Sequence, residues 1–523
     1  MGGKLLLFGL LLYFAYSINA VNILVLEEVA SPSHHIWFRS LNKGLASKGY
    51  NVTALSPDKD ESSTNLHYIH MDQVYDSIYN NDQFEEVNFV DMGSQSALEQ
   101  IAEFSKYSIL MCEGQVASSG WKQLENYPKD FKFDLIIYDY IMGGCLIAFA
   151  NKFKNVPIIG ATAFNDNFRS NSFAGHAVVP ALSAYSFVDN DPKTFLGRTF
   201  NFLLHMADKI SVNCYIIPKM TATIRESSSF KDSPTMLELG AKSLIYFTNY
   251  DPSVDGIQQL PPNVIPVGGL QIKPANRLPE DLQSVADGAT NGLVLFSLGT
   301  NVQGEMLGVE RITTILEAFR KLPKYTFLWK IDIKESPIPL PSNVVLRKWV
   351  PQNDILGHKN TKLFITHAGL LSTQESIYHG VPMLGVPIFA DQFVNIRRSV
   401  AQGYADVLYV KDLSTELLYT KLNNLLTQPK YRESIKLASA TFRDQKETPL
   451  ERALWWIDWV IRNPKINHFR SEHDLNFLQV ESFDVIAFVT TVLLVIVFGC
   501  VWLMMTLLRF IFGNRKSGKN KID

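Results

Sequence analysis

Short apolar runs, each followed by helical spacing, recur in two series along the chain, and this alternation most constrains how it can fold. Val21–Leu26 (VNILVL) leads into helical spacing over Ile36–Lys48, closed by Gly49, and then into Asn51–Leu55 (NVTAL). Runs this short and apolar suit strands buried on both faces, and their order with helices is that of a parallel doubly wound sheet. Leu135–Tyr138 and Val156–Ile159 extend the first series. The second begins near Gly292, with strands expected at Leu293–Leu298, Tyr325–Trp329, Val344–Leu346, Leu363–Thr366 and Met383–Val386, and a helix at Gly308–Lys321. Between them, Pro261–Pro279 has the proline- and glycine-rich composition of a linker. The fold class expected is α/β: two Rossmann-like domains, at 21–275 and 276–470, with a cleft between them. Pro449–Ile461, with three tryptophans, reads as a helix on a core or a domain boundary.

The two ends read as an address. Residues 1–20 place one lysine before an apolar run and end in small residues at Ala20, the layout of a secretory signal peptide. Val485–Leu508 carries no charge over 24 residues, about 36 Å of helix, enough to span a membrane with some tilt. Residues 471–484 form a juxtamembrane segment, and the tail 509–523 is basic, which puts it in the cytosol and the two domains in the lumen. The chain is expected to be a single-pass type I protein, and Lys519 and Lys521 resemble a di-lysine retrieval signal of the endoplasmic reticulum.

Composition excludes some classes. With 49 Lys+Arg against 51 Asp+Glu, the net charge of −2 argues against a nucleic-acid binder. Cys112, Cys145 and Cys214 fall on the lumenal side and permit one disulfide at most, while Cys500 lies in the span. No C-x-x-C or H-E-x-x-H supports a metal site. Asn51-Val52-Thr53 is a glycosylation sequon on the lumenal side.

Residues 347–397 carry the chemistry. The strand Leu363–Thr366 runs into His367-Ala368-Gly369, and a helix of about ten residues is expected to start there and to end at Gly380. Small residues between a strand and a helix N-terminus make an anion site from free backbone N–H groups. His367 can donate a hydrogen bond to a phosphate oxygen. Glu375 can take a ribose hydroxyl pair, as an acidic residue does in dinucleotide folds. Trp349 offers a face for a base and Gln352 an amide for a ribose or base edge. Asp391-Gln392, after the next strand, suits sugar hydroxyls.

The runs W-V-P-Q-N-D-I-L-G-H, F-I-T-H-A-G, Q-E, Y-H-G-V-P and F-A-D-Q, with F-S-L-G-T at 296–300 and S-H-H at 33–35, closely resemble the signature of the animal membrane-bound UDP-glycosyltransferases. The resemblance implies a two-domain GT-B fold whose second domain holds a UDP-sugar. In that pattern Trp349 and Gln352 correspond to uridine contacts, His367 to a pyrophosphate contact, Glu375 to the ribose carboxylate, Asp391 and Gln392 to sugar-hydroxyl readers, and Thr300 to a residue near the phosphates. Gly369 and Ser372 belong to the same diphosphate loop. Vertebrate members have two glycines after the motif histidine and an asparagine two residues later. Ala368 and Leu371 depart from this, which leaves Ser372 and the backbone to serve and points to an invertebrate member.

The catalytic pair follows from topology. His34 lies after the first strand and Asp139 ends the Leu135–Tyr138 strand, so both reach the carboxyl edge of one parallel sheet. An imidazole suits the base that takes a proton from an acceptor hydroxyl as it attacks the anomeric carbon, and a carboxylate suits its orientation. His34 and Asp139 also match the family's His–Asp dyad, whereas His35 is expected to point elsewhere. One-step displacement implies inversion. No permanent cofactor and no metal are expected, with UDP-sugar as co-substrate.

Phe164, Phe168, Phe173, Tyr185, Phe187, Phe195 and Phe200, near Met142-Gly143-Gly144, read equally well as an apolar acceptor pocket or as core and membrane-surface contacts. The function expected is transfer of a hexose, glucose by preference, to a small lipophilic acceptor. The alternatives are glucuronate as the sugar, or a non-catalytic relative that binds hydrophobic ligands or pairs with an active subunit.

Overall fold

The computed structural model describes residues 21–79, 95–128, 130–165, 167–177, 179–181, 184–186, 193–300, 304–466 and 475–513. The signal segment 1–20, Phe187 and the tail from residue 514 lie outside the described residues.

The first lobe is a seven-stranded parallel sheet, built from β1 (Asn22–Leu26), β2 (Asn51–Ser56), β3 (Leu66–His70), β4 (Leu135–Asp139), β5 (Ile158–Thr162), β6 (Ser243–Thr248) and β7 (Val264–Pro266) in the order β3-β2-β1-β4-β5-β6-β7. The second is a six-stranded parallel sheet of β8 (Leu293–Ser297), β9 (Thr326–Lys330), β10 (Val344–Arg347), β11 (Thr361–Thr366), β12 (Met383–Gly385) and β13 (Ala405–Val407), ordered β10-β9-β8-β11-β12-β13. All residues of β4, β5 and β8 are buried, as strands covered by helices on both faces must be. The strand order reverses between β1 and β4 in one sheet and between β8 and β11 in the other. At such a reversal the neighbouring crossovers leave on opposite faces and open a crevice at the carboxyl edge.

Seven helices frame the cleft and the membrane end of the chain: α1 (Pro32–Ser47), α2 (Ala97–Ala117), α3 (Phe195–Ser211), α4 (Leu370–His379), α5 (Gln392–Ala401), α6 (Pro449–Arg462) and α7 (Phe483–Gly513). α1 starts four residues before the predicted helix, with Pro32 in its first turn, where a missing N–H is harmless. α6 sits in the core of the first lobe: Ala453, Ile457 and Val460 pack with Trp37, Leu41 and Leu45 of α1. A Cβ on Gly44 would stand 2.7 Å from Leu450, so glycine is what lets the two helices approach. Residues 449–462, within the span assigned by sequence to the second domain, therefore pack with the first. α7, 31 residues, is the one helix among the described residues long and apolar enough to cross a membrane.

Cys112 and Cys145 form a disulfide, with Cα atoms 5.7 Å apart, and Cys214 is free and exposed. Asn51, the sequon residue, is exposed at the start of β2, with its Nδ2 donating to Asn22 Oδ1 at 3.1 Å.

Candidate active site

The two crevices face each other and enclose a cavity of about 510 Å³ between the lobes. On the first lobe, the chain leaves β1 and turns into α1, which puts His34 in the first turn of the helix. The adjacent strand β4 ends on Asp139. His34 Nδ1 lies 3.1 Å from Asp139 Oδ2, both side chains are buried, and His34 lines the cavity. The ring of Phe164 packs edge-on against the imidazole, with centroids 4.8 Å apart. Asp139 Oδ1 accepts from the Ile141 backbone N–H at 3.3 Å. His35 points away from the cavity, as expected, and stands between Glu27 (2.7 Å) and Asp60 (3.2 Å).

Sequence reasoning missed Glu28. It is fully buried, and its Oε1 accepts from the Gly144 N–H at 3.0 Å. Burial first, and then the nearby charge of Asp139, hold its carboxyl well above the usual carboxylate range.

On the second lobe, β11 delivers His367 and α4 begins at Leu370, capped by the backbone of Gly369 and closed by Gly380 at φ 69°. His367 is packed between two glycines. A Cβ on Gly299 would stand 2.7 Å from its ring and one on Gly369 would stand 2.5 Å away. Burial, helped by the charge of Lys330, pushes the His367 imidazole down to about 4, so it is neutral and offers a hydrogen bond, not a charge. Its Nδ1 is buried without a hydrogen-bond partner among the described residues, which suits a polar ligand at this site. Ala368 holds the left-handed conformation at φ 64°, where the family resemblance places a glycine. Its N–H donates to Thr366 Oγ1 and its carbonyl accepts from Asn395 of α5.

Gln352 Nε2 donates to Glu375 Oε2 at 2.7 Å and to Ser372 Oγ at 3.0 Å. Burial raises the Glu375 carboxyl to about 7, against the lowering effect of that amide. Asp391 is raised to about 6, again by burial first, and the charge of His34 across the cleft acts in the opposite sense. Gln392 Oε1 accepts from the Ile388 and Phe389 N–H groups, which commits its carbonyl to holding the loop. Trp349 is 62% exposed, so it is no core residue. Lys330 Nζ, at the end of β9, lies 4.9 Å from the Trp349 ring centroid and donates to the Gly299 carbonyl. Every sequence-predicted site residue but one, Asp139, lines this single cavity: His34, Thr300, Trp349, Gln352, His367, Gly369, Ser372, Glu375, Asp391 and Gln392. Asp139 stands behind His34. Gln374, buried on α4, bonds to Asn249 and Gln271 of the first lobe and ties the cleft's two walls together. Lys330 carried no motif signal, and Gln374 appeared in sequence only as part of the Q-E run, with no role assigned to it.

The aromatic residues proposed for the acceptor divide. Phe164 and Met142 line the cavity. Phe168 and Tyr185 are buried against His205, and Phe173 packs on the first lobe's core. Phe195 and Phe200 are exposed on α3, away from the cavity. Among the described residues, no group of three or more His, Cys, Asp or Glu is placed to hold a metal ion.

Two parallel-sheet lobes that meet at their switch points across a nucleotide-sized cleft have the GT-B architecture. The solved structure of Phytolacca americana UGT2, complexed with UDP-2fluoro-glucose and pterostilbene, shares this fold at TM-score 0.58 and 16% identity over 84% of this chain and 98% of that one. The profile of the family described as "UDP-glucoronosyl and UDP-glucosyl transferase" matches residues 23–518, and the chain belongs to that family. It is similar to the UDP-glycosyltransferase UGT5 of Dactylopius coccus, 32% identical over 95% of both chains, and to the UDP-glucosyltransferase 2 of the same insect, 29% identical over 99% of both. The chain is thus a UDP-glycosyltransferase, an enzyme whose co-substrate is a UDP-sugar.

Proposed function

We propose that this enzyme transfers a hexose, glucose by preference, from its UDP-sugar to the hydroxyl of a small lipophilic acceptor, with inversion at the anomeric carbon. The observation that carries the reading is the His34–Asp139 pair, 3.1 Å apart, on the wall opposite His367 and Asp391. With Nδ1–H donated to Asp139, His34 keeps Nε2 for the acceptor hydroxyl. As that oxygen attacks the anomeric carbon, its proton passes to Nε2, and Asp139 stabilises the imidazolium. UDP leaves from the opposite face. Its diphosphate meets the N-terminus of α4, the neutral His367 and the Lys330 cation. Trp349 stacks the base, Gln352 and Glu375 hold the ribose, Thr300, Gly369 and Ser372 line the diphosphate, and Asp391 and Gln392 read the sugar hydroxyls. Phe164 and Met142 supply apolar wall for the acceptor.

The preference for glucose draws on the full-length likeness to a protein named a UDP-glucosyltransferase. Arg39, Lys43 and Lys273 also line the cavity. The Lys273 backbone carbonyl accepts from the Asn353 amide, next to Gln352. We further read α7 as a membrane span that leaves both lobes in the lumen of the endoplasmic reticulum, on its length, the uncharged run Val485–Leu508 within it and the basic residues after that run.

The test is turnover of a phenolic acceptor panel with UDP-glucose and UDP-glucuronate side by side. His34→Ala should abolish turnover and leave UDP binding intact. Wild-type turnover by that variant overturns the mechanism, and faster transfer of glucuronate overturns the choice of sugar.

A further inference from the structure

α3 is inside out. Its polar residues Asn201, His205, Asp208 and Lys209 are 0–3% exposed, whereas Phe195, Leu196, Leu203 and Ile210 are 74%, 76%, 57% and 54% exposed. The buried polar face is held from within the lobe. Arg169 forks onto Asp208 at 2.6 and 3.1 Å, Asn201 Oδ1 accepts from the Tyr185 N–H, and His205 packs between Phe168 and Tyr185. The outward orientation of the apolar face is therefore locked by the fold. A stripe of large apolar side chains held towards solvent marks a surface meant for another apolar phase.

The position of α3 identifies that phase. Phe202 touches the ring of Phe483, the first residue of α7, with centroids 6.5 Å apart, and Lys209 is ion-paired with Glu481 just before it. The helix is thus fastened to the point where the span leaves the water. We propose that α3 lies in the lumenal surface of the bilayer beside α7, with its apolar stripe among the lipid chains; this rests on the reading of α7 as a membrane span. The placement bears on the substrate. On its inner side Leu204 packs in one cluster with Ala97 and Ile101 of α2, with Phe104 and with Phe389-Ala390, and the last three line the cavity. The acceptor end of the cleft is then separated from the bilayer by this one packed layer, which suits acceptors that partition into lipid.

The test uses the full chain in phosphatidylcholine vesicles, with Cys214 and Cys500 changed to serine and one environment-sensitive fluorophore on a new cysteine. The positions are Leu196→Cys and Leu203→Cys on the stripe, Ile496→Cys in the span, and Leu437→Cys, an exposed leucine on the second lobe. Spin-labelled phosphatidylcholine should quench the stripe positions at least about half as strongly as position 496, and leave 437 unaffected. Quenching at 496 but not at 196 or 203 overturns the proposal and leaves the span intact. No quenching at any of the three overturns both. Shielding of 196 and 203 that lipid does not quench and that disappears on dilution into excess vesicles means a second copy covers the stripe, and also overturns it.

Discussion

Gln352 and Glu375 are bonded to each other, amide nitrogen to carboxylate oxygen at 2.7 Å, although they arise from different segments of the second lobe. The two side chains proposed to grip the ribose are thereby held in place before any ligand arrives. Burial outweighs the lowering effect of that amide and keeps the carboxyl protonated up to about pH 7.

Binding of a UDP-sugar should therefore tighten as pH rises. A ribose donates its hydroxyls to the carboxylate, so below about 7 the free enzyme must first lose a proton, and the affinity should improve about tenfold from pH 6 to pH 8 before levelling off. The sign for stability is opposite. The raised value favours the protonated folded state, a contribution present below the ordinary glutamate range and lost as pH passes about 7. Calorimetric titration with UDP-glucose over this range checks it, and Glu375→Gln should flatten the profile.

Gly369→Ala should disable donor binding without unfolding the protein. Gly369 has φ −60° and ψ 151°, which alanine adopts freely, so backbone strain plays no part. The new Cβ would stand 2.5 Å from His367 Nε2 and must push the ring out of its slot. A KM for the UDP-sugar raised by about tenfold or more, a loss of ~1.4 kcal/mol, with an unchanged melting temperature, is the expected pattern.

Ala368 tests how tightly the same loop is set. At φ 64° an L-residue carries about 1–2 kcal/mol of strain, which glycine would relieve. Glycine also loses a buried methyl, about 0.8 kcal/mol, and adds chain entropy to the unfolded state, about 0.4–1 kcal/mol. These nearly cancel, so Ala368→Gly should be neutral within ~1 kcal/mol in denaturant unfolding. Ala368→Val combines a β-branch at positive φ with overpacking at a site of 0% exposure and should lose ~2 kcal/mol or more.

Much of this site was legible because its residues sit where a parallel sheet forces them. β4 and β8 are apolar up to their last residues, so their ends, and with them Asp139 and Thr300, could be placed. The helix after β11 announces itself through Gly369 and Gly380. The edge strands β3 (LHYIH) and β13 (ADV) were not legible, being half polar or three residues long. The start of α1 was hidden by His34 and His35, polar residues buried only because Asp139 and Glu27 meet them. Phe195 and Phe200 resemble pocket residues in sequence, and only the burial of Asn201 and Asp208 on the opposite face of α3 shows which way they point. Cys112 and Cys145 could not be chosen over Cys214 from spacing. Glu28 looked like any charge after a strand, because nothing local reveals that the Gly144 loop closes over it.

Glu28 supplies the last prediction. Its carboxyl is buried beside Asp139, so two negative charges would stand together without a cation, and the fold favours the protonated form. An acid held above its ordinary value contributes stability below the unfolded glutamate pKa of about 4.3, and that contribution fades as pH rises towards the folded value. Glu28→Gln keeps the shape and the acceptor for the Gly144 N–H while removing the titration. The variant should match the wild type at pH 5 and gain on it steadily towards pH 9 in thermal unfolding. Glu28→Ala should lose ~1–3 kcal/mol at every pH, because the Gly144 N–H is left buried without an acceptor. Turnover separates a positioning role from a purely structural one. If Glu28 positions the Gly144 loop behind the dyad, the Gln variant should keep kcat and the Ala variant should lose it, with the KM for the UDP-sugar unchanged in both.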